Sequence, residues 1–232
     1  MADRWRVVLE AETLTAFHTL GPGRTLPLVD RALQVDVEGN PFIPASSVRG
    51  RVRAHLERLL RASGLPACWP PRPEQMCPHV GVVPDPKEPF CLACRIFGSP
   101  WYPSPTFFED LRLVAVGHPN GRLAYRTGIG ISRRLGTVQA ERLFTTESTS
   151  PTGLRFRGNI EGALAREEMG WLLAALRTVQ HLGGDKARGM GQIRLRVVEL
   201  LRWNAGTGAW TPENPEDLLK EVIGRALGES GG

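Results

Sequence analysis

The sequence predicts an α+β domain of order β-α-β-β-α-β. Three features carry this reading: strands with period-two alternation near both ends, two widely separated amphipathic helices, and an irregular stretch that interrupts the pattern without ending it. A chain of 232 residues can bury a core without covalent staples. With 41% hydrophobic and 23% charged residues it is neither disordered nor membrane-spanning in composition. The opening Met1-Ala2-Asp3-Arg4-Trp5 carries no apolar signal region, so a cytoplasmic protein is expected.

Residues 5–14 alternate through Val7, Leu9, Ala11 and Thr13 and read as the first, half-buried strand. Turn chemistry from Phe17 to Thr25 and a short apolar run follow, ending in a loop at Asp30. Ser46 is expected to cap the first helix, whose apolar positions Val48, Val52, Leu56, Leu59 and Leu60 oppose Arg49, Arg51, Arg53, Arg58 and Arg61. Residues 65–105 lose periodicity, are rich in proline and contain all four cysteines, so they need an organiser of their own. A strand is expected at 111–116, a turn at Pro119-Asn120-Gly121, an extended arm over 125–150 and a strand at 154–160. The second helix runs from about Arg166, burying Met169, Leu172, Leu173, Leu176 and Val179. After Gly183-Gly184 a last strand covers 192–203, and residues 212–228 supply a short helix with Asn214 as cap and Pro215 at its first position. This order matches the split βαβ, ferredoxin-like plan, whose sheet face commonly serves RNA.

The charge is uneven: residues 1–202 carry 27 basic and 19 acidic groups, residues 203–232 two and five. Of the basic residues 26 are arginines. The planar guanidinium grips phosphate and stacks on bases, although a GC-rich genome drifts toward arginine codons with no function attached. Cys68, Cys77, Cys91 and Cys94 give C-x8-C-x13-C-x2-C, in which the CxxC pair turns two thiolates toward one tetrahedral ion. A structural zinc would order the proline-rich loop, with His79 as an alternative to Cys68; four reduced cysteines in an irregular loop are the other reading. The segment Gly183-Gly184-Asp185-Lys186-Ala187-Arg188-Gly189-Met190-Gly191 leads from helix to strand, the wrong order for a nucleotide-binding loop. It is either a polyanion contact through its amides, Lys186 and Arg188, or a tight connection. On spacing alone Asp30 is a turn cap, and no serine elbow, HExxH helix or carboxylate pair accompanies it.

Three segments together carry a resemblance: Phe42-Ile43-Pro44-Ala45-Ser46-Ser47-Val48-Arg49-Gly50-Arg51-Val52-Arg53, Cys94-Arg95-Ile96-Phe97-Gly98, and the glycine-rich loop 183–191. In this order they resemble the RAMP superfamily of CRISPR effector subunits, most of all the backbone subunit of type III complexes, and they frame residues 4 to about 200. The cysteine insertion is similar to the zinc-bearing, type III-D-like versions. The resemblance implies one RAMP domain over 1–232, with a metal-binding insertion at 65–105, a thumb-like arm at 125–150 and a C-terminal helix at 212–228. It implies crRNA, target RNA, copies of itself and other effector subunits as partners, with no membrane. Asp30 takes the place of the family's catalytic aspartate, with Asp36 as the alternative. His18, Ser46, Ser47, Arg49, Arg51, Arg133, Arg134, Phe144, Lys186 and Arg188 match positions that meet RNA. The implied activity is endonucleolytic cutting of guide-complementary RNA, assisted by a divalent metal such as Mg, the alternative being a non-catalytic scaffold. The implied zinc ligands are the four cysteines.

Overall fold

The computed structural model describes residues 2–19, 26–114, 123–149 and 153–226. The turns expected at 21–25 and at Pro119-Asn120-Gly121 lie outside the described residues, as does His118. The first strand, β1 (Asp3–Thr13), sits in the middle of the sheet, and its odd positions Trp5, Val7, Leu9 and Ala11 are fully buried. The Trp5 indole N–H is satisfied by the carbonyl of Leu164 at 3.0 Å, which lets so large a side chain close the end of the core.

The remaining strands are β2 (Phe42–Ile43), β3 (Thr106–Phe108), β4 (Leu111–Leu113), β5 (Leu123–Ile131), β6 (Val138–Thr149), β7 (Arg155–Leu164), β8 (Ile193–Asn204) and β9 (Ala209–Pro212). The main sheet has the order β2-β4-β7-β1-β8-β9, with β3 also on β7, and every ladder is antiparallel. β5 and β6 form a separate two-stranded hairpin.

Helices α1 (Ala45–Ala62) and α3 (Arg166–Thr178) supply the apolar stripes that pair with β1, β7 and β8 in one core: Val48, Val52, Leu56 and Leu60 from α1, Met169, Leu172, Leu173 and Leu176 from α3. Each such side chain contributes roughly 1.5–3 kcal/mol by leaving water. The short α2 (Leu92–Phe97) lies in the cysteine-containing insertion, and α4 (Pro215–Ala226) packs on α3. Gly170 permits that packing, because a Cβ there would lie 2.5 Å from the Val222 side chain and 2.9 Å from the Leu218 carbonyl.

Three details differ from the sequence-based expectations. Pro44, not Ser46, takes the cap position of α1; it is extended and its carbonyl accepts the Val48 amide, so the helix begins two residues early. The missing cap comes from Asp110, whose Oδ1 accepts the Ala45 amide at 2.7 Å. The strand expected at 111–116 is present as β4 over Leu111–Leu113, residues 115–116 lying outside the described residues; a further short strand, β3, precedes it, and β7 crosses the break between them at Gly158, where a Cβ would meet the Asp110 carbonyl at 2.7 Å. β9 was not expected; it closes the sheet edge through Trp203 and Trp210, in edge-to-face contact at 5.4 Å. No helix among the described residues is long and apolar enough to cross a membrane.

Candidate nucleic-acid interface

The open face of the sheet is not a free cationic platform. Three of its arginines stand opposite glutamates in the register and pair with them: Arg6 with Glu161 at 2.6 Å, Arg157 with Glu10 at 2.9 Å and Arg194 with Glu12 at 3.1 Å. A second polar and basic surface lies off the sheet.

It gathers where the chain leaves β1, around a groove of about 450 Å3 lined by His18, Thr19, Ser46, Ser47, Arg51 and Gly184, among others. One wall is the first turn of α1; the other is the glycine-rich loop. That loop packs backbone against backbone: at Gly183, φ +80, a Cβ would lie 2.3 Å from the His18 carbonyl, and at Gly191, φ +74, 2.0 Å from the Leu182 carbonyl. Glycine is required at both positions. The loop is therefore a tight helix-to-strand connection, and its single 3-10 turn, Lys186–Arg188, carries the half-buried Lys186 and the exposed Arg188.

His18 is buried, and its Nδ1 lies 2.6 Å from the carbonyl of Glu147. A carbonyl only accepts, so Nδ1 carries the proton and Nε2 is left without a protein partner, as is the buried Thr19 hydroxyl beside it.

Glu147 belongs to β6, and the hairpin base is sewn to this region at several points. The Thr149 amide donates to Phe17, the Glu147 carboxylate accepts the Leu33 amide at 2.9 Å, and the loop at residues 30–31 pairs with Thr145 and Thr146. Asp30 is exposed on that loop; its Oδ2 accepts the Thr145 amide at 2.7 Å and its own amide donates to the Thr145 carbonyl at 3.0 Å. Asp36 is differently used: its Oδ1 accepts the Glu38 and Asn40 amides and closes a turn.

Next to Asp30, the guanidinium groups of Arg31 and Arg188 lie 5.7 and 6.0 Å from the centre of the Phe144 ring. The Phe144 ring covers Gly128 on the facing strand, where a Cβ would be 2.5 Å from it. Arg133 and Arg134 are exposed in the hairpin turn.

Arg49 points the other way. With Arg53, one helical turn on, it reaches the insertion: Arg49 donates to the Phe97 carbonyl, Arg53 to the Gly98 carbonyl at 2.8 Å and to the Cys94 sulfur at 3.5 Å. Sequence reasoning grouped the helix arginines by composition; which of them face the groove depends on helical phase relative to the insertion. Arg31 was missed altogether, since nothing local separates it from other loop arginines.

The four cysteine sulfurs lie within 4.8 Å of one another, with Cys68 3.5 Å from Cys94 and 3.8 Å from Cys91. Tetrahedral zinc with Zn–S near 2.3 Å requires sulfurs about 3.8 Å apart, so this donor set fits the ion. The amides of Cys77 and Cys91 donate to the sulfurs of Cys68 and Cys77, and Arg53 donates to Cys94, contacts that stabilise thiolate rather than thiol. Hydrogen bonds from the Cys68 and Cys94 thiols hold Cys91 far below the ordinary thiol range, whereas burial pushes Cys77 up to about 12. His79 is exposed and accepts the Gly81 amide, so Cys68, not His79, belongs to the cluster. Among the described residues this is the one group of three or more ligand side chains close enough to share an ion; Asp30 is not in such a group.

An antiparallel α+β domain with a groove that holds Arg51 and the unpartnered polar atoms of His18 and Thr19, plus a four-thiol centre, is the class the fold and site define. The family model of the RAMP superfamily matches residues 10–194, well over half of the chain, and the protein belongs to that superfamily of CRISPR-associated subunits. No curated protein matches the sequence.

Proposed function

We propose that the protein is a crRNA-binding backbone subunit of a type III effector complex and that it also cuts the bound target RNA at Asp30. The strand order β4-β7-β1-β8 agrees with a ferredoxin-like core, into which the insertion at 65–105 and the hairpin at 123–149 are set. The guide follows the groove between the start of α1 and the glycine-rich loop, where Ser46, Ser47, Arg51, His18 and Lys186 meet phosphates and sugars. The hairpin, with Arg133 and Arg134 at its tip and Phe144 near its base, separates guide from target. The four cysteines hold a structural zinc with no open coordination position, so the metal orders the insertion and takes no part in cutting. The protein works in the cytoplasm beside copies of itself and other effector subunits.

The observation that carries the cutting assignment is the placement of Asp30: an exposed carboxylate, fixed to the hairpin through Thr145 and flanked by Arg31 and the Arg188 side of the recess. With Oδ2 engaged by an amide, Oδ1 remains to take the proton of a target 2′-hydroxyl. The hydroxyl oxygen then attacks the adjacent phosphorus, the bond to the 5′-oxygen breaks, the leaving oxygen takes a proton from water, Asp30 returns its own proton to solvent, and a 2′,3′-cyclic phosphate and a 5′-hydroxyl result. Arg31 and Arg188 offset charge on the phosphorane. Among the described residues Asp30 belongs to no group of three ligand side chains, so a divalent cation there would take its remaining ligands from RNA phosphate and water.

The test is a single-turnover cleavage assay of the assembled complex, wild type against Asp30→Ala, with and without chelator. Loss of cutting with intact target binding is expected. Cutting at the wild-type rate would make the chain a scaffold whose neighbours do the chemistry.

A further inference from the structure

Asp185 lies between the two arginines that flank Phe144. Its Oδ1 is 3.1 Å from Nη1 of Arg188 and its Oδ2 3.8 Å from Nη1 of Arg31, and its side chain is only 16% exposed. The residue is in the left-handed region, φ 50, rare for a side chain other than glycine and best tolerated by asparagine and aspartate. The Asp185 carbonyl fixes that turn by accepting the amides of Arg188 and Met190. The recess it enters is lined by Phe144 and by Thr146, whose buried hydroxyl has no partner.

We infer that Asp185 is a stand-in for an RNA phosphate: in the RNA-free protein its carboxylate occupies the anion position between Arg31 and Arg188, and RNA binding exchanges it for a phosphodiester. Carboxylate and phosphate oxygens present the same acceptors to a guanidinium. The arginine side chains are 44% and 61% exposed, so each ion pair is worth only about 0–1 kcal/mol and yields to a competing anion. Once phosphate is in place the carboxylate beside it is repulsive. An RNA that reaches only this recess must overcome that repulsion alone, whereas one that also fills the groove of Ser46, Ser47 and Arg51 has contacts to offset it. The inference rests on the proposed RNA-binding reading.

The experiment measures binding of a labelled single-stranded RNA, long enough to span the groove and this recess, to the full, zinc-loaded chain over a salt series, comparing wild type with Asp185→Asn and Asp185→Gly. Both replacements accept the left-handed backbone, and melting curves report their folding. Binding tighter by about three- to ten-fold at low salt is expected for both, as for removal of one nearby repulsive charge. The salt dependence should steepen by about 0.7 for each phosphate newly neutralised. Wild-type binding with equal or weaker binding by both variants overturns the exchange and makes Asp185 a mere organiser of the arginines. Absence of binding by all three chains overturns the RNA reading, and the exchange with it.

Discussion

Asp30 and Thr145, 115 residues apart in sequence, are joined by two hydrogen bonds: the Thr145 amide to Asp30 Oδ2 at 2.7 Å and the Asp30 amide to the Thr145 carbonyl at 3.0 Å. The loop that presents the candidate general base therefore has no independent position; it moves with the hairpin. If the hairpin is what distorts target RNA, the distortion and the carboxylate arrive together, which is an orientational contribution to rate.

Displacing Phe144 should disturb that registration. Gly128→Val places a side chain where even a Cβ would be 2.5 Å from the ring. Single-turnover cleavage should fall by an order of magnitude or more, with guide affinity changed much less, because the groove walls lie on other elements. Parallel measurement of guide binding and cleavage by the variant complex separates the two.

Groove and sheet face should respond differently to loss of charge. Arg51→Ala, in the groove, should weaken guide RNA binding and reduce the salt slope by about 0.7. Arg157→Ala, on the open face and already paired with Glu10, should change neither. Filter binding at several salt concentrations measures both.

The close backbone contacts of the glycine-rich loop predict costly substitutions. Gly183→Ala and Gly191→Ala force alanine into φ near +80 and +74 against a carbonyl oxygen. The conformation alone costs about 1–3 kcal/mol, so melting temperatures should drop by roughly 2–12 °C before the clash is counted. Gly189→Ala, with nothing within 4 Å of its Cβ, should fall at the low end.

The four-thiol centre predicts one zinc per chain by elemental analysis and loss of the ion in Cys91→Ser. Because burial pushes Cys77 up to about 12, metal uptake must expel protons, and affinity must rise with pH and fall on acidification. A chelator titration at pH 5.5 and 7.5 should strip the metal more readily at the lower pH. Chelation should also lower the melting temperature, since Arg49 and Arg53 tie α1 to the insertion through Phe97, Gly98 and Cys94.

Local regularity was legible where it is set by nearest neighbours. The helix that buries Met169, Leu172, Leu173 and Leu176, the last helix with Asn214 accepting the Glu216 amide, and the alternation of β1 follow from periodicity and capping chemistry alone. The α1 cap was not legible, because its acceptor, Asp110, comes from 65 residues away. Nor was β9, whose four residues are too short for periodicity to speak. Three segments of sequence were enough to indicate the family, since Gly98, Gly183 and Gly191 in them each meet a local backbone demand.

By itself, then, the sequence determined the helices and long strands, the grouping of the four cysteines and the excess of arginine, all of which depend on residue type and short-range spacing. Only the tertiary structure decided which arginines are available. Arg157 and Arg194 are neutralised by glutamates across the sheet, Arg49 and Arg53 are taken up by the insertion, and Arg31 and Arg188 are left facing one recess with Asp185 between them. Composition counts charges, but an ion pair forms only where strand register and helix phase bring opposite charges within a few ångströms, and those distances are set by long-range packing.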